Sequence, residues 1–466
     1  RTWLMQALPD AATQAVQNSA EQAADNLSVS NAVAALRAIG AADWPDIVAR
    51  SSLLMQVMLE APLFAAEHSA TRDQSLHAIE RLARQTSRSE VAVARLVLGQ
   101  MQASTSESDP VPAPDGPPAA ADQALADTAA AQADVRATSG HWLLGAGRPA
   151  LRRALGLRSP WAAAWQAHRA ALALPAYLAT LAIGTAALVA WLLLRPGGAA
   201  APGWVWVAGL LMLGPASEAV VAIVNRLVSE SARPAALPRL ALAAGIPASH
   251  RVMVVVPCML TSTQGTTALA HRLRLHHLAN PELQVQFALL SDWADADAAQ
   301  APSDGERLTE AMAAIEALNR RYPQPLSPDH HWPEAPRFVL LHRPRRYCPT
   351  EGRWLGWERK RGKLEQLVAL LAHPDDADAA GHFLALGDAW RTAPGTRYLL
   401  TLDSDTQLPP GRLRDLVGVA MHPANQPRLA EGGRSVASGY AMLQPRVVTP
   451  LPSLAEVTRF HTLFAG

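Results

Sequence analysis

The sequence predicts an open α/β sheet preceded by an α-helical region and a two-helix membrane hairpin. Three observations carry that reading. From about Ala241 onward, short apolar runs alternate with stretches of helical period, the pattern of strands covered by helices. Before them, the 25 residues between Arg169 and Arg195 carry no charge, and about 20 apolar residues span a bilayer. Earlier still, apolar residues recur only at helical spacing.

Residues 1–102 read as an N-terminal helical domain. "ATRDQSLHAIERLARQ" sets Leu76, Ile79, Leu82 and Ala83 on one face. "DWPDIVARSSLLMQVMLE" starts with Pro45, a favourable first-turn residue, ahead of Ile47, Leu54, Val57 and Met58. His68 and His77 are isolated and read as surface or core residues rather than ligands. Residues 103–139, with "SESDPVPAPDGPPAAAD", cannot build a core and read as a disordered linker.

Residues 140–240 form the hairpin and its flanks, with spans at about 170–194 and 203–225. "HWLLGAGRPALRRALGL" is an amphipathic lead-in. Glu218 interrupts the second span and is expected to face protein or lie near an interface. Trp161, Trp165, Trp191, Trp204 and Trp206 flank the spans as an interfacial belt. Arg148, Arg152, Arg153, Arg158 and Arg169 precede the first span, Arg226, Arg233 and Arg239 follow the second, and the connecting loop has only Arg195. Positive charge stays inside, so both flanks are expected in the cytoplasm.

Residues 241–466 form the α/β part. "RVMVVVPCML", "LQVQFALLSDW", "RFVLLHRP" and "RYLLTLDSD" read as strands, separated by helical patterns, and "GYAMLQPRVV" as a further strand. The net charge of +1 argues against nucleic acid as a partner. Two cysteines, Cys258 and Cys348, form neither a CxxC pair nor a disulfide framework. The chain opens on Arg1 and stops at "HTLFAG" in mid-pattern, and is read as a fragment.

Chemistry concentrates at two places. In "YLLTLDSDTQLPPG" an apolar strand ends at Asp403 and Asp405. In extended chain, residues two apart face the same side, and two co-facing carboxylates suit Mg²⁺ or Mn²⁺ bound to a phosphoryl ligand. Asp-x-Asp recurs at Asp295/Asp297 and Asp376/Asp378 in loop contexts; only the copy at a strand end sits where open α/β sheets bind ligands. In "GRWLGWERKRGKLEQL" the cations Arg353, Arg359, Lys360, Arg361 and Lys363 surround a helix start, whose dipole they oppose. An anion binding to both removes the conflict. Lys363 and Arg361 are the expected diphosphate contacts, with Glu358 orienting them; a solvated charge run, or contact with anionic lipid, is the alternative.

"RYCPTEGRWLGWERKRGKLEQL", "YLLTLDSDTQLPPG" and "GYAMLQPRV" closely resemble the glycosyltransferase part of cyclic β-1,2-glucan synthases, and "FALLSDWADA" and "ATRDQSLHAIERLARQTSRSE" are similar to that family too. The resemblance implies a GT-A-like glycosyltransferase domain, truncated here, in a multi-pass protein of the bacterial inner membrane that uses UDP-glucose to elongate a glucan chain on the cytoplasmic side. It implies that Asp403 and Asp405 bind the metal–diphosphate, that Asp292 contacts the nucleotide, and that Gln444, Pro445 and Arg446 line the donor or acceptor cleft. It also implies further C-terminal membrane helices and a phosphorylase-like domain beyond residue 466. The general base is expected there as well, because of the acids after Asp405 only Asp415, Glu431 and Glu456 remain. Two rival readings stay open. "LLTLDSDT" fits the DxDx[T/V] pattern of haloacid-dehalogenase-type phosphatases, though no later lysine or acidic pair follows. A non-catalytic membrane scaffold leaves the basic helix start without a use.

Overall fold

The computed structural model describes residues 11–42, 47, 50–106, 135–157, 160–194, 202–231, 236–324, 335–430, 432–447 and 457–459. Pro45, most of the linker, the hairpin loop 195–201, Arg158, Arg233, Glu431 and Glu456 lie outside them, as do the side chains of Trp161, Trp165 and Arg169.

The N-terminal part is helical. α1 (Ala11–Ala41) is exposed along the length whose burial is described. α2 (Leu53–Met58), α3 (Pro62–Ala66), α4 (Ser69–Thr86) and α5 (Glu90–Ser106) pack around Leu54, Met58, Phe64, Ile79, Leu82 and Val97. The spacing of Ile79, Leu82 and Ala83 along α4 puts all three inside, with Leu76 at the margin. α6 (Ser139–Leu143) and α7 (Arg148–Ala154), read from the sequence as a lead-in to the membrane, close this bundle: Trp142, Leu143, Leu151 and Leu155 join its core.

α8 (Pro160–Leu193) and α9 (Pro202–Ser231) pair antiparallel. Both contain stretches long and apolar enough to cross a membrane, Ala171–Leu193 and Gly203–Ser231. Tyr177 donates to Asn225 at 2.9 Å near one end, and Gly184 lets Val220 approach in the middle. Glu218 lies on the exposed face of α9 and not against α8.

The α/β part is a four-stranded parallel sheet in the order β3-β2-β1-β6: β1 (Arg251–Leu260), β2 (Val285–Trp293), β3 (Phe338–Arg343) and β6 (Thr396–Thr401). Side chains alternate between its faces. Val252, Val254, Phe287, Leu289 and Phe338 pack under α10 (Thr263–Ala279), α11 (Asp304–Arg321) and α14 (Arg412–Met421), while Met253, Val255, Leu290 and Val339 pack under α12 (Arg359–Ala372) and Phe383. Two-sided cover explains why these strands are apolar without alternation. A short hairpin, β4 (Arg346–Cys348) with β5 (Arg353–Leu355), precedes α12, and α13 (Ala377–Ala380) follows it.

Two expectations change. β6 was expected as a buried strand, but it is half-exposed, because among the described residues it pairs with β1 alone and forms the sheet edge. "GYAMLQPRVV" contributes no strand through Val447; among the described residues the pairing nearby joins β7 (Arg428–Leu429) to β8 (Val436–Ser438), and Met442 and Val447 are exposed with no strand beside them.

A staple joins the helical bundle to the α/β part. The segment after α9 runs between α3–α4 and α14. His68 N donates to Arg239 O at 2.9 Å, Ala241 N to Ala66 O at 2.9 Å, and Leu240 N to Gly418 O at 3.0 Å. Beneath it, His422 and Glu67, both 1% exposed, meet at 3.3 Å. Arg239 pairs with Asp415 at 3.1 Å.

Candidate functional site

The first three strands progress to one side of β1, and β6 then returns to its other side. The crevice outside the carboxyl ends of β1 and β6 is therefore the topological switch point, where open α/β sheets hold ligands. The helices that follow strands begin at this edge, so their N-terminal N–H groups gather there.

Two surfaces of α12 do different work. On its inner side Lys363 and Gln366 share a face with Leu367 and Leu370, and all four are buried. Lys363 Nζ lies 2.9 Å from Asp292 Oδ2 and donates to Cys258 O at 2.7 Å. Arg343 clasps the same carboxylate at 2.7 and 3.0 Å and donates to Gln366 Oε1 at 2.6 Å. Asp292 thus sits between two buried cations, and the network welds α12 to the ends of β1, β2 and β3. A side chain at Gly356 would stand 2.7 Å from Asp292 Oδ2, so only glycine fits. Burial beside this network pushes the Cys258 thiol up to about 12, which keeps it protonated and inert.

The outer side of the helix start is exposed. Glu358 and Arg359 enter it with φ of 50° and 47°; left-handed backbone at non-glycine residues costs about 1–3 kcal/mol each and concentrates at functional sites. Lys360 pairs with Asp403, Arg359 with Asp295 at 2.8 Å, and Arg361 reaches Glu358 at 3.8 Å. Arg353 pairs with Asp297 at 3.3 Å. The basic cluster therefore spans from the loop after β2 to the turn after β6.

Asp403 and Asp405 do not lie in extended chain. β6 ends at Thr401, and Thr406 N closes a turn onto Asp403 O at 3.0 Å, so the two-residue alternation that was to align the carboxylates stops before them. Both remain exposed. Leu408 anchors the turn in the core, and Asn280 holds it from α10 by donating to the carbonyls of Leu408 and Pro409.

The expected site residues thus divide. Asp403 and Arg361 line the exposed crevice with Asp405 in the adjoining turn, while Asp292 and Lys363 lie beneath it in the buried network. Gln444 and Arg446 are exposed, with no hydrogen bond or ion pair to the site among the described residues. Lys360 is the cation that reaches Asp403. Lys363 is four residues before Leu367 and seven before Leu370, which puts it on the inner face; Lys360, seven before Leu367, shares that phase and is exposed because it stands in the first turn. Asp376 caps α13, accepting from Asp378 N at 2.9 Å.

The chain matches no protein-family model. It is 31% identical over 449 residues to the curated cyclic beta-(1,2)-glucan synthase NdvB of Rhizobium meliloti (strain 1021), a match covering 94% of this chain. The chain belongs to the cyclic β-(1,2)-glucan synthase family. It spans 14% of that relative's length. The aligned share includes nearly all of the helical bundle, the hairpin and the α/β sheet, so family membership rests on the whole described architecture and not on the Asp-x-Asp turn alone.

The donor chemistry at the turn fits a hard divalent ion. Asp403 and Asp405 offer only carboxylate oxygens from an exposed position, which leaves room for water and phosphate oxygens, as Mg²⁺ prefers. Among the described residues no cluster of three or more His, Cys, Asp or Glu side chains could close a metal cage. The Lys360–Asp403 pair is 54% and 60% exposed on its two sides. An exposed pair is worth about 0–1 kcal/mol, so an incoming ion and its ligand can exchange it.

Proposed function

We propose that this chain carries the nucleotide-sugar site of a membrane-bound inverting glucosyltransferase of GT-A type, using UDP-glucose to elongate a β-1,2-glucan on the cytoplasmic face of the bacterial inner membrane. The observation that carries the reading is the pairing of the Asp403 turn, at the switch point, with the basic start of α12, in a chain of this family. Mg²⁺ or Mn²⁺ held by Asp403 and Asp405 would supply charge neutralisation for the departing diphosphate. Lys360 and Arg361, with the N–H groups opening α12, add a second source of positive potential on the same side. Asp292, Arg343 and Lys363 fix that helix start against the sheet, so the exposed cations are positioned before substrate arrives. An α-linked donor yielding a β-linked product requires one in-line displacement and a base for the acceptor hydroxyl. Asp415 is committed to Arg239 at 3.1 Å and Arg412 at 2.8 Å, so it is not assigned as that base. Gln444 and Arg446 are proposed as acceptor-side residues.

The staple supports the topology. Contacts join residues before α8 to residues after α9, and two ends bonded together share one side of a membrane. The arginine excess makes that side the cytoplasm.

The test is UDP binding by the whole chain in detergent with Mn²⁺. Asp403→Asn, Asp405→Asn and Lys360→Ala should each weaken it, by about 1–3 kcal/mol for a lost charge-assisted contact. UDP affinity indifferent to all three, or a beryllofluoride adduct on Asp403 marking a phosphatase nucleophile, overturns the assignment.

A further inference from the structure

The N-terminal bundle contains a cavity that the sugar-transfer reading does not use. It measures about 480 Å³ and lies between α4, α6 and the start of α7. Leu82, Leu143 and Leu144 form an apolar floor, with Arg81, Gln85 and Arg148 at the rim. Leu82 and Leu143 belong to the bundle core, while Leu144 is 48% exposed and forms the lip. Arg81 and Arg148 are exposed, and among the described residues neither guanidinium has a hydrogen bond or ion pair. Gln85 is held in place by Arg152, whose Nη1 donates to it at 3.3 Å.

Two unpaired guanidiniums above an apolar cleft ask for an amphiphile with an anionic head. The chain's own charge distribution says where it comes from. Between Asp134 and the end of the first span there is no acidic residue, but Arg136, Arg148, Arg152, Arg153, Arg158 and Arg169 all fall in that stretch. α7, which begins at the rim residue Arg148 and ends at Ala154, is joined by five residues to α8 at Pro160, whose apolar stretch starts at Ala171. The far end of α4 is pinned to the α/β part through His68 and Thr71, which leaves its cavity-bearing half free to meet a surface. Clustered arginines beside a membrane helix are attracted to anionic lipid by about 1 kcal/mol each.

We propose that this cavity binds an anionic phospholipid, its phosphate between Arg81 and Arg148 and an acyl chain over Leu82, Leu143 and Leu144. The site docks the helical bundle onto the inner leaflet. The proposal rests on reading α8 and α9 as membrane helices and is independent of the sugar-transfer site.

The experiment uses the whole chain in a zwitterionic detergent, titrated with dihexanoyl phosphatidylglycerol, dihexanoyl phosphatidylcholine and glycerophosphoglycerol, which has the head but no chains. The anionic lipid should bind saturably and at least tenfold tighter than either comparison compound. Arg81→Gln with Arg148→Gln should lose at least tenfold, Arg81→Lys with Arg148→Lys should keep most of the affinity, and Leu144→Gln should weaken the lipid while leaving UDP binding unchanged. Both arginines are exposed, so folding is not at stake in these variants. Equal binding of the two lipids, equal binding of the chainless head group, or affinity unaffected by the paired Gln variant overturns the proposal.

Discussion

Replacing Asp292 by asparagine asks whether that carboxylate supports the site or touches the nucleotide. The side chain is 5% exposed, between Arg343 at 3% and Lys363 at 4%. Asparagine keeps the shape and removes the charge, which leaves two buried cations without a counter-ion. Breaking a buried pair from one side costs about 3–5 kcal/mol. The lower end applies, because the amide oxygen still accepts one hydrogen bond. Lys363→Met alone removes one cation and leaves the Arg343 clasp intact; its cost is that of a charged hydrogen bond, about 1.5–3 kcal/mol. The double variant has one orphan cation instead of two, so it should cost less than the sum by about 1–2 kcal/mol, in the range measured for residues sharing a network. A single two-state free energy is ill-defined for a chain of several units. Amide hydrogen exchange of β2, β3 and α12 is therefore the measurement, read as the local opening free energy. If Asp292→Asn leaves exchange at the level of the unaltered chain and weakens only UDP binding, the network does not hold the sheet edge and Asp292 is a ligand contact.

In the complete enzyme, Asp403→Asn or Asp405→Asn should abolish glucose transfer, whereas Asp376→Asn should be silent and Asp295→Asn, which only frees Arg359, should cost severalfold at most; radiolabelled glucan formation checks all four. Burial lowers the His277 imidazole from 6.5 to about 4, so as pH falls below 6.5 the unfolded chain takes up the proton first and stability is lost down to pH 4. At pH 5 the loss is about 2 kcal/mol, and His277→Phe should remove that difference between pH 7 and pH 5 in urea titrations followed by exchange of α10. Gly418→Val should detach the bundle from the sheet, since even a Cβ would stand 2.4 Å from Leu240 O; increased protease cleavage within 236–242 reports it. A cysteine at Ala200 should react with an impermeant thiol reagent in intact spheroplasts, and labelling only after lysis would reverse the orientation.

Strand and helix order was legible because burial on both faces leaves a continuous apolar run at the centre of each strand, Val252 to Val256, Phe287 to Leu290 and Phe338 to Leu341, and the flanking turns are rich in Pro, Asp and Ser. The two long apolar helices were legible because length and lack of charge are local properties. What depended on distant partners was not. β6 looks buried in sequence because its residues are apolar, but its exposure is set by having one neighbour. Tyr440 to Val447 has strand-like composition and, among the described residues, no strand beside it. Ser139 to Ala154 has an apolar face that suits a membrane surface or a bundle equally, and only the position of α5 decides. Lys360 and Lys363 look alike in the cluster and share a helical phase; their separation needs the point at which α12 passes the sheet edge, which no local pattern gives. Nothing local in Glu67 or His422 announces their pairing.

That last pairing has a consequence for how the protein is made. Glu67 and His422 are 355 residues apart, and both long apolar helices lie between them. At about 5–20 residues per second, roughly 20–70 s pass between the synthesis of one and of the other. Throughout that interval the Glu67 end of the bundle has no cover, although both long apolar helices have already been synthesised. The bundle is finished last, although it is translated first. A nascent chain stalled before Met421 should therefore present an open bundle to proteases and holdase chaperones, and one extended past His422 should close.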